Sequence, residues 1–186
     1  LNAFPHLSEL TIRNCKLDDT FCVISLTSRS GSSDLRSLEL IRNEMEMNQR
    51  TIEAIFQLAP HLERITLNLI ESTVADDSIQ FICVNFVKLT HLGLINTMIT
   101  DIGIDAICSS QIMRKNLVSL DLSRSNFIDN DCLIKIVHSL ANLQSLYLRT
   151  CFGISNLDLF AKLEKLSCLD VNNTSIDARK SRDKFF

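Results

Sequence analysis

Apolar residues recur along this chain in a tripled pattern, L-x-x-L-x-L. It occurs seven times: Leu7, Leu10, Ile12; Leu35, Leu38, Leu40; Leu62, Ile65, Leu67; Leu89, Leu92, Leu94; Leu117, Leu120, Leu122; Leu143, Leu146, Leu148; and Leu166, Leu169, Val171. Successive starts lie 28, 27, 27, 28, 26 and 23 residues apart. The alternation at the end of each triplet predicts a short strand. The near-constant period predicts an internal repeat.

Polar residues that can accept from the free N–H groups of a helix start follow most triplets: Asp18-Asp19, Asn48, Asp76-Asp77, Thr100-Asp101, Asp129-Asn130 and Ser155-Asn156. Apolar residues at helical spacing come next: Phe21 and Ile24; Ile52, Ile55 and Phe56; Ile79, Ile82, Cys83 and Phe86; Ile104, Ile107 and Cys108; Cys132, Ile136, Val137 and Leu140. Each unit therefore predicts strand, turn, helix and return. No such unit can bury its own leucines, whereas stacked neighbours can, so the expected architecture is an α/β parallel solenoid. Each inward Leu then contributes roughly 1.5–3 kcal/mol by burial. Strands about 4.8 Å apart would carry the seven across about 29 Å. Helices are wider than strands, which places the strands on a concave face and the helices on a convex one.

The pattern resembles leucine-rich repeats over almost the whole chain. The segment Ile99-Thr100-Asp101-Ile102-Gly103-Ile104 is similar to the cysteine-containing repeats of F-box proteins, and the Zyg family of cullin-2 adaptors uses such repeats too. The resemblance implies a curved horseshoe arc. It also implies a polar or Cys slot three residues after each triplet, with an apolar residue two further on. The matching pairs are Cys15/Leu17, Asn43/Met45, Thr97/Ile99, Ser125/Phe127 and Thr174/Ile176. Repeat six has Cys151, then Ile154 one residue late. Repeat three has Ile70 in the polar slot and Val74 late, so its turn is expected to bulge. Residues 1–176 make the expected repeat domain. Residues 177–186 make a charged tail holding Arg179, Lys180, Arg182 and Lys184. The chain opens on Leu1 and neither end carries an evident cap, so a fragment of a longer protein is expected.

A composition of 46% hydrophobic and 22% charged residues is that of a folded globular chain. The net charge of −3 gives no basic field for nucleic acid. No apolar run approaches the ~18 residues of a membrane span. Seven cysteines with no CxxC pair point away from a zinc site or a disulfide framework. They point toward an intracellular setting, cytoplasmic or nuclear.

Candidate chemistry is sparse. His6 and His61 share a Pro-His-Leu slot before their strands, His138 sits in a helix, and the acidic pairs fall where helix caps belong. No enzyme, cofactor or metal is expected. Strand alternation puts three columns on the concave face. The first is Glu9, Ser37, Arg64, His91, Ser119, Ser145, Cys168; the second Thr11, Glu39, Thr66, Gly93, Asp121, Tyr147, Asp170; the third Arg13, Ile41, Asn68, Ile95, Ser123, Arg149, Asn172. Glu39, Ile41, Arg64, His91, Ile95, Asp121, Tyr147 and Arg149 are the candidate contacts for a protein partner, since aromatic and Arg residues lead at interfaces. The expected function is a protein-protein interaction module. The resemblance narrows it to substrate recognition in a cullin-RING ubiquitin ligase of the F-box or cullin-2 type. Skp- or cullin-type subunits would then bind through segments outside this chain. The alternative is a leucine-rich GTPase-activating or regulatory scaffold, with Arg13, Arg42, Arg124 or Arg149 acting from the strand ends.

Overall fold

A computed structural model describes residues 6–15, 34–44, 48–70 and 76–177. Seven parallel strands lie side by side in chain order: β1 (Glu9–Arg13), β2 (Ser37–Glu44), β3 (Arg64–Ile70), β4 (His91–Ile95), β5 (Ser119–Asp121), β6 (Ser145–Tyr147) and β7 (Cys168–Asp170). The register follows the triplets: Leu10, Leu38, Ile65, Leu92, Leu120, Leu146 and Leu169 form one continuous row. From Leu38 to Leu146 that row is buried, as are Leu40, Leu67, Leu94, Leu122 and Leu148 beside it. Leu169, in the last strand, is 36% exposed, because no further described strand covers it.

Five of the seven strands end shortly before a left-handed residue, whereas β2 runs through one, Arg42, to Glu44. Asn14, Arg42, Asn96, Arg124, Thr150 and Asn173 have φ of 53, 53, 58, 63, 62 and 57°, each two residues after its triplet. A left-handed residue there turns the chain away from the sheet. In repeat three that place is held by Leu69, a bulky residue poorly suited to left-handed backbone, and β3 runs on to Ile70. The accommodating irregularity appears in the neighbour: β2 spends three steps, Ile41 to Glu44, against two in β3, Asn68 to Ile70. Residues 71–75, where the bulging turn was expected, lie outside the described residues.

The polar slot closes each turn against the sheet. Thr97 Oγ1 donates to Leu94 O at 3.1 Å, Ser125 Oγ to Leu94 O at 3.3 Å, Cys151 Sγ to Leu122 O at 3.2 Å and Thr174 Oγ1 to Val171 O at 2.8 Å. Cys15 Sγ donates to Arg13 O at 3.3 Å, and the residue is exposed. In repeat five the apolar slot falls one residue later than expected: Ile128 is buried and Phe127 faces solvent.

Helices α1 (Gln49–Leu58), α2 (Asp76–Asn85), α3 (Asp101–Ser109), α4 (Gln111–Asn116) and α5 (Asn130–Ser139) pack behind the sheet, followed by a 3-10 helix at Leu157–Lys162. The helix foreseen around Phe21 and Ile24 lies outside the described residues. Helix α4 was not foreseen; Ser110 ends α3 and caps α4, accepting from Met113 N at 3.3 Å while donating to Cys83 O at 2.8 Å. The other caps sit where the sequence placed acceptors: Asn48 Oδ1 accepts from Thr51 N, Thr100 Oγ1 from Ile102 N, Asp129 Oδ1 from Cys132 N and Asn156 Oδ1 from Asp158 N. Asp76 acts across repeats instead, accepting from Thr100 Oγ1 at 2.7 Å and Thr100 N at 3.2 Å. On the return side, Asn116 Nδ2 donates to Val87 O and Asn142 Nδ2 to Lys115 O, again one repeat back.

Candidate protein-binding face

The sheet register assembles the expected columns. Glu9, Ser37, Arg64, His91, Ser119, Ser145 and Cys168 are successive partners, and so are Thr11, Glu39, Thr66, Gly93, Asp121, Tyr147 and Asp170. In the third column, Arg13, Ile41, Asn68 and Ile95 pair in turn. Glu39, Ile41, Arg64, His91, Ile95, Asp121 and Tyr147 therefore share one face, opposite the helices, and Arg149 joins it by bonding Asp170.

Ion pairs hold both ends of this face. Arg13 Nη2 donates to Glu39 Oε2 at 3.4 Å, and Thr11 Oγ1 donates to the same oxygen at 3.4 Å. At the other end Arg149 gives Nε and Nη2 to Asp170 Oδ2, at 3.1 and 2.7 Å. Asp170 also accepts from Asn172 N at 3.0 Å; that bond, and then Arg149, hold its carboxyl below the usual range. Asp121, two strands away, behaves oppositely: burial raises its pKa against the bonds from Ser123, and the Asp170 charge adds to the rise. Between them stands Tyr147, whose Oη accepts from Cys168 Sγ at 3.5 Å. That contact, with burial, raises the phenol pKa.

In the centre, Thr90 Oγ1 donates to Glu63 O at 3.0 Å and lies 2.8 Å from His91 Nδ1. A hydroxyl has one proton, so with that proton on Glu63 O the His91 ring donates from Nδ1 and presents Nε2 as an acceptor. Burial, then the Arg64 guanidinium, push the His91 pKa down, so the ring is neutral at pH 7. Beside it Gly93 leaves a dip; an added Cβ there would come within 3.0 Å of Thr66 Cγ2.

Ile41 and Ile95 are half-buried rather than standing free as expected from alternation. Sequence reasoning also missed where the exposed large apolar residues are. Met98, Phe127 and Phe152 sit on strand-to-helix turns, off the sheet face. Comparing the same turn slot from repeat to repeat would have found Met98 and Phe152, since the other repeats place polar or charged residues there. Of the arginines considered for catalytic assistance, Arg13 and Arg149 are held in the ion pairs above. Arg42 and Arg124 occupy left-handed turn positions and are exposed.

The arrangement offers recognition: hydrogen-bond donors and acceptors, one aromatic ring and two half-buried isoleucines on a rigid sheet. Among the described residues no three His, Cys, Asp or Glu side chains gather as a metal set, and no helix is long and apolar enough to cross a membrane. No family model and no curated protein matches the sequence. Among solved structures the chain is similar to an internalin from Listeria monocytogenes, with 20% identity, a TM-score of 0.53 and coverage of 81% of this chain. The chain spans 45% of that internalin's length. The fold is thus a leucine-rich repeat solenoid, with its parallel sheet on one side and its helices on the other.

Proposed function

We propose that this chain is a protein-binding module whose partner docks across the sheet face, on Glu39, Ile41, Arg64, His91, Ile95, Asp121, Tyr147 and Arg149. The observation that carries the reading is the register, which lines up all of these residues but Arg149 on successive strands of one surface; Arg149 is tied to it through Asp170. Tyr147 and Arg149 are of the residue types that dominate interface energetics. Ile95→Asp and Tyr147→Ala should each weaken partner binding by more than about 1 kcal/mol, with the melting temperature nearly unchanged. Glu53→Lys, on α1, should do little. If the α1 change abolished binding and both sheet changes were silent, the partner would be using another surface.

The more specific reading is substrate recognition within a cullin-RING ligase, inside the cell. It is supported by the resemblance to cysteine-containing repeats and by buried, unpaired thiols at Cys83, Cys108, Cys132 and Cys151. Co-purification with Skp- or cullin-type subunits, only when flanking segments are included, is the outcome that would support it. Stimulated GTP hydrolysis by small GTPases would instead favour the GTPase-activating alternative.

A further inference from the structure

Three large apolar side chains stand in solvent along the strand-to-helix edge of repeats four to six: Met98, 54% exposed, Phe127, 52%, and Phe152, 60%. Packing does not require them there. The slot of Met98 and Phe152, four residues after the triplet, holds Lys16, Glu44, Glu71, Asn126 and Ser175 in the other repeats. The turns that carry Phe127 and Phe152 are held side by side by a parallel bridge between Asp129 and Gly153. A hollow lined by Thr100, Asp101, Asp129, Asp131 and Lys135 joins Phe127 to the turn of repeat four.

The charge of that hollow is one-sided. The Lys135 ammonium is taken by Asp105, at 2.7 Å, leaving Asp101, Asp129 and Asp131 facing outward. Asp129 stays ionised because the Cys132 N–H holds its pKa low. Two helix N-termini add roughly +0.5 charge each, too little to offset three carboxylates. Negative charge beside exposed rings disfavours anionic lipid and nucleic acid alike. It suits cations, which also sit well on aromatic faces.

We propose that this edge is a second docking surface, distinct from the sheet face, for a basic segment of a protein partner. Lysine or arginine side chains of that segment would meet Asp101, Asp129 and Asp131, and its apolar side chains would cover Met98, Phe127 and Phe152.

The test uses the full chain and short fluorescein-labelled peptides followed by anisotropy. The probe carries lysines and spaced leucines; one control has glutamates for the lysines, the other serines for the leucines. Both controls should bind roughly tenfold or more weakly than the probe, and the double variant Phe127→Ser/Phe152→Ser should lose a similar factor. Asp101→Asn and Asp131→Asn should weaken binding and flatten its salt dependence, while Ile95→Asp leaves it unchanged. The proposal is overturned if the probe fails to bind, if the serine control binds as tightly, or if the edge variants are silent. It is also overturned if the edge variants abolish self-association of the chain without peptide, which would make a second copy the occupant.

Discussion

At the scale of single residues, the thiols show how position in the repeat decides chemistry. Cys83 and Cys108 face the core from α2 and α3, and burial pushes their pKa up to about 12 and about 11. Each is a small hydrophobe in the slot where α1 has Phe56 and α5 has Val137. Cys132 and Cys151 are shifted the same way, by burial first. Cys15 and Cys168 are exposed. Since the thiolate is the nucleophile, native protein treated with iodoacetamide near pH 8 should be modified at Cys15 and Cys168. Cys83, Cys108, Cys132 and Cys151 should react only after denaturation. Mass spectrometry of the peptides reads this directly, and rapid native labelling of Cys83 would contradict the placement of α2 against the core. The division was largely legible beforehand: helical spacing turns Cys83, Cys108 and Cys132 inward, and strand alternation turns Cys168 outward. Cys15 was not: its slot predicted a tucked side chain, yet Ser125 and Cys151 in that slot bond a carbonyl of the preceding repeat, and Cys15 belongs to the first repeat.

At the scale of elements, what the periodicity could and could not reveal has a clear physical boundary. Strand rows follow from the triplets because sheet register is set by which residues must be buried, and a one-residue slip would expose them all. Turn details carry no such constraint. Ser125-Asn126-Phe127-Ile128 holds two adjacent apolar residues, and the choice of Ile128 for the core rests on the path of the turn, which spacing does not encode. Helix α4 was likewise hidden, being six residues and too short for a period to show, whereas Ser155-Asn156 marked the start of the helix after β6, which forms as a 3-10 helix. The contact between α2 and α3 gives a sharper test. Gly103 lies in α3, where helix propensity alone would favour Ala by roughly 0.8–1.0 kcal/mol. An added Cβ, however, would run into the Asp76 carboxylate and come within 2.7 Å of Ile99 Cγ1. Gly103→Ala should therefore destabilise, by roughly 1–3 kcal/mol, against the propensity trend. The loss should shrink in an Asp76→Ala background without vanishing, because Ile99 remains. A stabilised Gly103→Ala in thermal denaturation would mean that the two repeats sit further apart. The cap of α5 offers a pH signature. The Cys132 N–H lowers the Asp129 pKa in the fold. Its stabilising contribution should be complete above the unfolded carboxyl pKa of about 3.9 and lost as pH falls through the lower folded value. The stability gap between wild type and Asp129→Ala should accordingly be about 1 kcal/mol near neutrality and close in acid.

At the scale of the molecule, each described strand pairs only with its sequence neighbours, and the order β1 to β7 has no crossover. Stability in such an array is close to a sum of repeat terms and nearest-neighbour interfaces. The face columns were readable in the sequence for the same reason, since a regular stack turns a period directly into a row. The half-burial of Ile41 and Ile95 was not readable, because alternation assigns a side chain to a face and not its depth there. The one-dimensional layout also makes position along the stack a variable of its own. Leu92 is buried in β4, with strands on both sides, whereas Leu169 in β7 has a described neighbour on one side and is partly exposed. The same substitution should then have different consequences. Leu92→Ala removes a side chain sealed between repeats three and five and should cost roughly 2–5 kcal/mol, through lost transfer energy and the cavity left behind. Because it weakens both central interfaces, it should also let the two ends unfold separately, lowering the urea m-value of the main transition. Leu169→Ala deletes surface that is already partly in water and breaks no interface beyond β6–β7. Its cost should be well below that of Leu92→Ala, with the m-value kept. Equilibrium urea titration followed by circular dichroism distinguishes the cases. Equal losses for both variants would mean that β7 is covered by another part of the protein, and a silent Leu92→Ala would mean that the register of the sheet is wrong.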